Sequence, residues 1–262
     1  MPELSVIVPT LKPRDEIESV ARLESQPFDD YEVLVQSEDS ATKARNAGIR
    51  RASAEKLVFL DDDSLPTDGY LERVADLLER ESVVTGKIVH PRSDVIERFA
   101  SHYDQGATPR YVTRFWGCNA ACRAEVFEAV GMWDENITWG HEEKELADRM
   151  LTRYPIYYDP ELLVVHPYAD SVRDYWRKQY RLELQTPYLW EKEGVPRSQQ
   201  YFRTAQKVVN PMNYVGTSPK HAVVRAGSNL MQFAGRVVGM RRGRDGTDVG
   251  GYSVDNEVRY RR

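Results

Sequence analysis

The sequence predicts an α/β fold, a doubly wound sheet with helices on its faces. Three short apolar runs, at residues 4–8, 31–35 and 56–60, read as buried parallel strands because they are continuous rather than alternating. The intervals between them carry helical spacing: Ile17, Val20, Ala21 and Leu23 within 14–25, then Ala44, Ala47, Gly48 and Ile49 within 41–52. Strand alternating with helix over about 60 residues is how such a sheet begins. Residues 70–80 supply the next helix and 82–89 the next strand. Periodicity is weak from 90 to 115, where Tyr103, Tyr111, Phe115 and Trp116 sit among Arg and Asp, the pattern of a long crossover or flap that carries substrate contacts. A helix follows at 142–154, two short strands at 156–158 and 162–165 ending at His166, and one long helix at about 172–193. The last twenty residues, rich in Gly and Arg, read as loosely ordered.

Composition narrows the function classes. With 262 residues, 41% hydrophobic and 29% charged, the chain has the means to bury a core, which excludes disordered, collagen-like and coiled-coil classes. No apolar run approaches the roughly 18 residues of a membrane span. Met1 to Glu3 leads into the first strand without a basic n-region, so a cytoplasmic location is expected. Cys118 and Cys122 lack a second pair, which favours two buried thiols over a disulfide framework or a structural zinc site. Net charge is −5, but residues 221–262 hold eight Arg against three Asp and one Glu. An acidic body disfavours nucleic acid as a partner and leaves the basic tail open to phosphates or an anionic membrane surface.

Ligands of open α/β sheets sit beyond the carboxyl ends of the strands. Those ends are Pro9 and Thr10, then Glu38 and Asp39, then Asp61, Asp62 and Asp63. Three adjacent aspartates repel unless a cation neutralises them, and hard oxygen donors select Mg²⁺ or Mn²⁺; a solvated turn capping the next helix is the plainer alternative. Neither a P-loop nor a dinucleotide fingerprint is present. Arg45 in the second helix reads by itself as a surface ion-pairing residue. Glu142 and Glu143 open a helix where the macrodipole favours acids and where a general base could be held, and Glu145 with Arg149 reads as an ordinary i,i+4 surface pair.

Taken in order, these pieces resemble the family 2 glycosyltransferases of GT-A fold. The segments that carry the resemblance are Ser5-Val6-Ile7-Val8-Pro9-Thr10, Ala44-Arg45-Asn46-Ala47-Gly48-Ile49, Phe59-Leu60-Asp61-Asp62-Asp63, Gly117-Cys118-Asn119-Ala120-Ala121-Cys122-Arg123, Val130-Gly131-Met132-Trp133-Asp134-Glu135, Gly140 to Arg149, and Asp159-Pro160-Glu161 through His166.

The resemblance implies a GT-A sheet over residues 1–170, with a nucleotide-sugar half at about 1–90 and an acceptor half at about 90–170. Beyond it lie a helical C-terminal extension at 171–240 and a basic tail at 241–262. It implies an enzyme that moves a sugar, with inversion, from a nucleotide-diphosphate donor, foremost a UDP-sugar, to a hydroxyl of a glycan or lipid-linked acceptor in glycan assembly. Asp61 and Asp63 match the outer acids of the family's D-x-D, His166 matches the histidine that completes the Mn²⁺ or Mg²⁺ site, and Asp62 lies near the donor. Pro9, Thr10, Glu38, Asp39 and Arg45 are implied on the donor side. Trp116, Asn119, Trp139, Gly140 and His141 are implied on the acceptor side. Glu143 occupies the position of the base, ionised at neutral pH if its pKa is unshifted near 4.3, with Glu142 its neighbour.

The match departs at Ser37-Glu38-Asp39-Ser40, where the family commonly shows two aspartates and Gly-Ser, leaving the base of the donor open. A catalytically silent glycan- or nucleotide-binding module and a nucleotidyltransferase are the rival readings. Outside the match, residues 221–240 carry a polar stripe of Arg225, Asn229, Gln232 and Arg236 and an apolar stripe of Val223, Ala226, Leu230, Ala234 and Val237. That helix is expected either to pack on the catalytic domain or to lie on an anionic leaflet, which would place the protein peripherally on the inner face of the membrane.

Overall fold

The computed structural model describes residues 1–91, 99 and 101–244. Much of the expected flap and the last eighteen residues of the tail lie outside the described residues. The chain divides into two compact units, 1–134 with 142–168, and 135–141 with 169 onward.

The first unit is a mixed sheet. Its strands are β1 (Leu4–Pro9), β2 (Tyr31–Gln36), β3 (Lys56–Phe59), β4 (Leu65–Pro66), β5 (Val83–Val89), β6 (Arg110–Val112), β7 (Ala120–Arg123) and β8 (Ile156–Val165), in the order β2-β1-β3-β7-β5-β8-β4, with β6 on β8. Its helices are α1 (Glu18–Glu24), α2 (Ala41–Arg51), α3 (Tyr70–Leu78), α4 (Ala124–Val130) and α5 (Glu142–Met150). β1 pairs in parallel with β2 and β3, as the apolar runs predict. One core cluster includes Leu4, Val6, Val8, Val58, Leu71 and Val74, and the other is built on Ile7, Phe59, Phe115, Phe127 and Trp133. Three aromatic rings lie edge-on to Phe59 at centroid distances of 5.8 to 6.0 Å, which is the favoured geometry for buried aromatics.

Two strands depart from the sequence reading. Residues 156–165 form one strand, not two, because Asp159 is fully buried and turned inward to Arg73 at 2.7 Å, which keeps the Asp-Pro-Glu stretch inside the sheet. The register shifts opposite it between Gly86 and Lys87, where a Cβ on Gly86 would stand 2.1 Å from the Leu162 carbonyl. β7 runs antiparallel to both β3 and β5.

The second unit is helical: α6 (Val172–Leu184), α7 (Thr186–Lys192), α8 (Arg197–Val209) and α9 (Pro219–Arg244). The single helix expected at 172–193 breaks at Gln185, and Pro187 opens the following helix, where its missing N–H costs nothing. α9 reverses the inward face that an apolar stripe suggests. Asn229 and Gln232 of the polar stripe are buried, while Val223 and Leu230 are 64% and 54% exposed.

Packing explains the reversal. Gly235 and Gly239 let the α6 backbone approach so closely that a Cβ would lie 2.5 Å from the Tyr180 carbonyl or 2.4 Å from that of Leu184. Polar pairs line the same seam: Gln232 donates to Gln179, and Arg236 makes a two-pronged ion pair with Glu183 at 2.6 and 3.0 Å.

Candidate functional site

Strand direction assembles the site. β3 ends at Phe59 and hands the chain to Asp61, Asp62 and Asp63 at the carboxyl edge of the sheet. β5 and β8 point the same way, so Val165 delivers His166 to that edge, where its N–H donates to Val89 O at 3.0 Å. β4, antiparallel to β8 with Leu65 opposite Val165, draws the aspartate turn beside His166. The antiparallel β7 contributes its beginning rather than its end, which brings Gly117, Cys118 and Asn119 to the same place.

His166 Nε2 lies 3.2 Å from Asp63 and 3.6 Å from Asp61. Burial raises the Asp63 carboxyl's affinity for a proton, but the contact with His166 outweighs it and holds the group below the usual carboxylate range. Donor atoms of Asp61, His166 and Cys118 all lie within 4.8 Å of one another. Two carboxylates and an imidazole suit a divalent cation of the Mn²⁺ type, with the sulfur as a softer neighbour.

Behind Asp61 the guanidinium of Arg45 is buried, which corrects its reading as a surface residue. It donates to Asp61 at 2.9 Å, lies 3.5 Å from Glu142, and stacks 4.7 Å above the Trp133 ring. Gly117 is required beside it, since a Cβ there would come within 2.7 Å of the guanidinium. Gly117 N–H also donates to Glu143 Oε1 at 2.6 Å.

Glu143 does not keep an ordinary pKa. Burial first, then the neighbouring Glu142, push it up to about 8, against the pull of Arg45 and the Gly117 hydrogen bond. Burial likewise raises Glu142, countered by Arg45. The Cys118 thiol is raised well above its usual value by burial, then by Asp61 and Glu143.

The remaining expected residues sort by environment. Thr10, following Pro9 at the end of β1, donates its hydroxyl to Asp62, and Lys12 reaches the same carboxylate at 3.3 Å. Glu38 and Asp39 are exposed on the loop before α2, where Asp39 pairs with Lys43 at 3.0 Å and Ser40 caps the helix. Trp116 is partly buried against Tyr103 at 4.7 Å between centroids. Asn119 is not available to an acceptor: it is fully buried, donates to the carbonyls of Lys87 and Leu162, both at 2.9 Å, and accepts from the Tyr70 hydroxyl at 2.8 Å.

Trp139, Gly140 and His141 belong to the second unit. There Arg181 stacks on Trp139 at 4.8 Å, Gly140 takes a φ of 80° against Leu182, and His141 Nε2 meets the Thr186 hydroxyl at 2.9 Å. The pair of Glu145 and Arg149 is also more than a surface pair. Arg149 fastens the carbonyls of Val130, Gly131 and Met132, and Glu145 is buried beneath it. Gly117 and Cys118 are the site residues that carry no assigned role in the sequence reading; their signal was position at the start of a strand too short and too small-residued to stand out.

Comparisons with known proteins bear on the family and the fold. Residues 12–131 match the family model described as glycosyl transferase family 2. Among curated proteins, the chain is 27% identical over 182 residues to Glycosyltransferase AglE of Haloferax volcanii, covering 64% of this chain and 58% of that protein. It is also 27% identical over 154 residues to dTDP-rhamnosyl transferase RfbF of Shigella flexneri, covering 51% and 50%. The alignments thus span about half the length of these relatives, 58% and 50%. Among solved structures, the mannosyltransferase PcManGT from Pyrobaculum calidifontis, in complex with GDP-Man and Mn²⁺, superposes with a TM-score of 0.58 at 17% identity, covering 93% of this chain and 87% of that one.

Proposed function

We propose that this chain, whose residues 12–131 match the glycosyl transferase family 2 model and whose sheet has a GT-A fold, transfers a sugar from a nucleotide-diphosphate donor, foremost a UDP-sugar, to a hydroxyl of a glycan or lipid-linked acceptor, with inversion. The observation that supports the reading most is the convergence of Asp61, Asp63 and His166 at the sheet edge, backed by the buried Arg45 and Glu142 and the partly buried Glu143. Asp61, Asp63 and His166 would hold a Mn²⁺ or Mg²⁺ ion; the Pyrobaculum neighbour is a complex with Mn²⁺. When bound, such an ion supplies counter-charge for the diphosphate. Pro9, Thr10 and Asp62 face the donor, with the acidic loop of Glu38 and Asp39 alongside.

Glu143 is the base in this reading. The acceptor oxygen forms its bond to the anomeric carbon as the bond from that carbon to the diphosphate oxygen breaks, and the hydroxyl proton passes to the Glu143 carboxylate. Pushed up to about 8, the carboxyl is mostly protonated at neutral pH, so the ionised form that accepts the proton grows as pH rises through that value. The Gly117 N–H orients the carboxylate, and Arg45 sets the balance of charge between it and Asp61.

The test is a thermal-shift series with UDP, GDP, dTDP and CMP, each with Mn²⁺, Mg²⁺ or EDTA, on the wild type and on Asp63→Ala. The expected result is stabilisation by one nucleoside diphosphate that requires both metal and Asp63, about 2.7 kcal/mol at 100 times its dissociation constant. No metal-dependent shift with any of the four would overturn the proposal.

A further inference from the structure

Exposed apolar surface is not spread evenly over this molecule. Tyr201, Phe202, Val208, Met212, Val215, Val223 and Leu230 all lie within thirty consecutive residues of the second unit, each at least 39% exposed. Scattered single apolar side chains need no explanation, but these seven lie on two helices that pack against each other and on the turn between them. On α9 the exposed residues follow one helical face, Val223, Ala226 and Leu230 at spacings of three and four, continued by the partly buried Ala234 and Val237. The opposite face is already used by the glycine and Gln-Gln seam with α6. The outward stripe therefore answers to something other than the unit's own core.

Charge identifies the occupant. Residues 194–244 contain nine Lys and Arg and no Asp or Glu, in a chain whose net charge is −5. The outward stripe of α9 is bracketed by the exposed Lys220 at its start and the exposed Arg241 near its end. Apolar side chains facing out between basic ones match a bilayer interface with anionic headgroups, where aliphatic groups enter the acyl boundary and cations stay at the phosphates. Nucleic acid fits less well, because most of the exposed set are Val, Leu and Met rather than the aromatic platforms on which bases stack. Among the described residues no helix is long and apolar enough to cross a membrane, so the surface lies on a bilayer rather than through it.

We propose that α8, α9 and the turn between them form a docking face for an anionic lipid bilayer. The proposal deepens the reading of a lipid-linked acceptor by naming the surface on which such an acceptor would be met. It uses none of the residues of the candidate catalytic site, so the two stand or fall separately.

The test is co-sedimentation of the whole chain with phosphatidylcholine vesicles, with and without phosphatidylglycerol, over a series of salt concentrations. The variants are Phe202→Ser with Leu230→Glu, and Lys220→Glu with Arg241→Glu. Binding is expected only with the anionic lipid, and it should weaken with salt. The apolar pair should weaken it about tenfold. Each lost basic charge should weaken it about fivefold. Absence of binding to the anionic vesicles, or binding indifferent to both pairs of substitutions, would overturn the proposal. So would a dimer in sedimentation equilibrium that Leu230→Glu dissociates, which would assign the face to a second copy. Sugar transfer to a water-soluble acceptor is expected to be unchanged in all four substitutions, so loss of docking leaves the catalytic reading intact.

Discussion

Replacing Arg45 by Met keeps much of its aliphatic stem over Trp133 and removes the charge that stands between Asp61 and Glu142. Glu142 is 8% exposed, and its Oε2 has no hydrogen-bond partner among the described residues, so it has no other counter-charge to fall back on. Breaking a buried pair on one side costs about 3 to 5 kcal/mol. The carboxyl has an escape, which is to take up a proton. Holding it neutral costs about 1.36 kcal/mol for each pH unit above its unfolded value near 4.3, so the loss is capped at about 1.6 kcal/mol at pH 5.5 and about 5 kcal/mol at pH 8. The sign follows from the direction of the shift: a raised folded-state pKa means that the folded chain binds the extra proton, so stability is lost as pH rises toward that pKa. Urea unfolding of metal-free wild type and Arg45→Met at both pH values should therefore give a gap that is small in acid and grows toward pH 8. Adding Glu142→Gln to the variant should flatten that dependence. A gap of equal size at the two pH values, or one that Glu142→Gln leaves unchanged, would refute the account of Arg45 as the counter-charge of this cluster.

Three further outcomes are expected. Glu143→Gln should abolish sugar transfer while metal-dependent nucleotide binding, read by thermal shift, stays within about twofold of wild type. Titration with Co²⁺ should produce a sulfur-to-metal absorption in the near ultraviolet that is lost in Cys118→Ser and kept in Cys122→Ser, since Cys118 lies within 4.8 Å of the Asp61 and His166 donors while Cys122 is buried within β7. In the second unit, burial works to raise Glu183, but the pair with Arg236 and the Thr186 hydroxyl hold it below the ordinary carboxylate range. Its stabilisation is thus present above the unfolded pKa near 4.3 and lost as pH falls through the lower folded value, a loss that acid unfolding of Arg236→Met should no longer show.

The alternating start of the fold was open to reading because its signals are local. Continuous apolar runs and helical spacing need no knowledge of partners, and β1, α2 and β3 fall within a residue or two of where they are expected. β7 was not open to reading, because Ala-Ala-Cys-Arg has neither the β-branched nor the aromatic content that marks a strand, and it exists through pairing with β3 and β5 on either side. Which stripe of α9 turns inward was not open to reading for a related reason. Hydrophobic periodicity assumes that apolar surface goes inward, whereas this helix turns in the residues that let another backbone come close and the polar groups that have a partner waiting.

The same distinction divides the site. Asp61 and Asp63 could be found from the turn that follows their strand, since strand ends are where ligands gather, while His166 gains its role only from the family resemblance. What turns them into a reactive constellation could not, because it depends on β7, which runs against β3 and β5. If β7 were parallel to β3, its amino end would lie at the far edge of the sheet, and Gly117 would be some four residues of strand away from Arg45 and Glu143. Running antiparallel, it sets a backbone N–H against the Glu143 carboxylate and a residue without a Cβ against the guanidinium, two contacts that temper the rise burial and Glu142 impose on Glu143. The setting of the proposed base is thus a property of sheet topology, carried by a four-residue strand with almost no signal of its own.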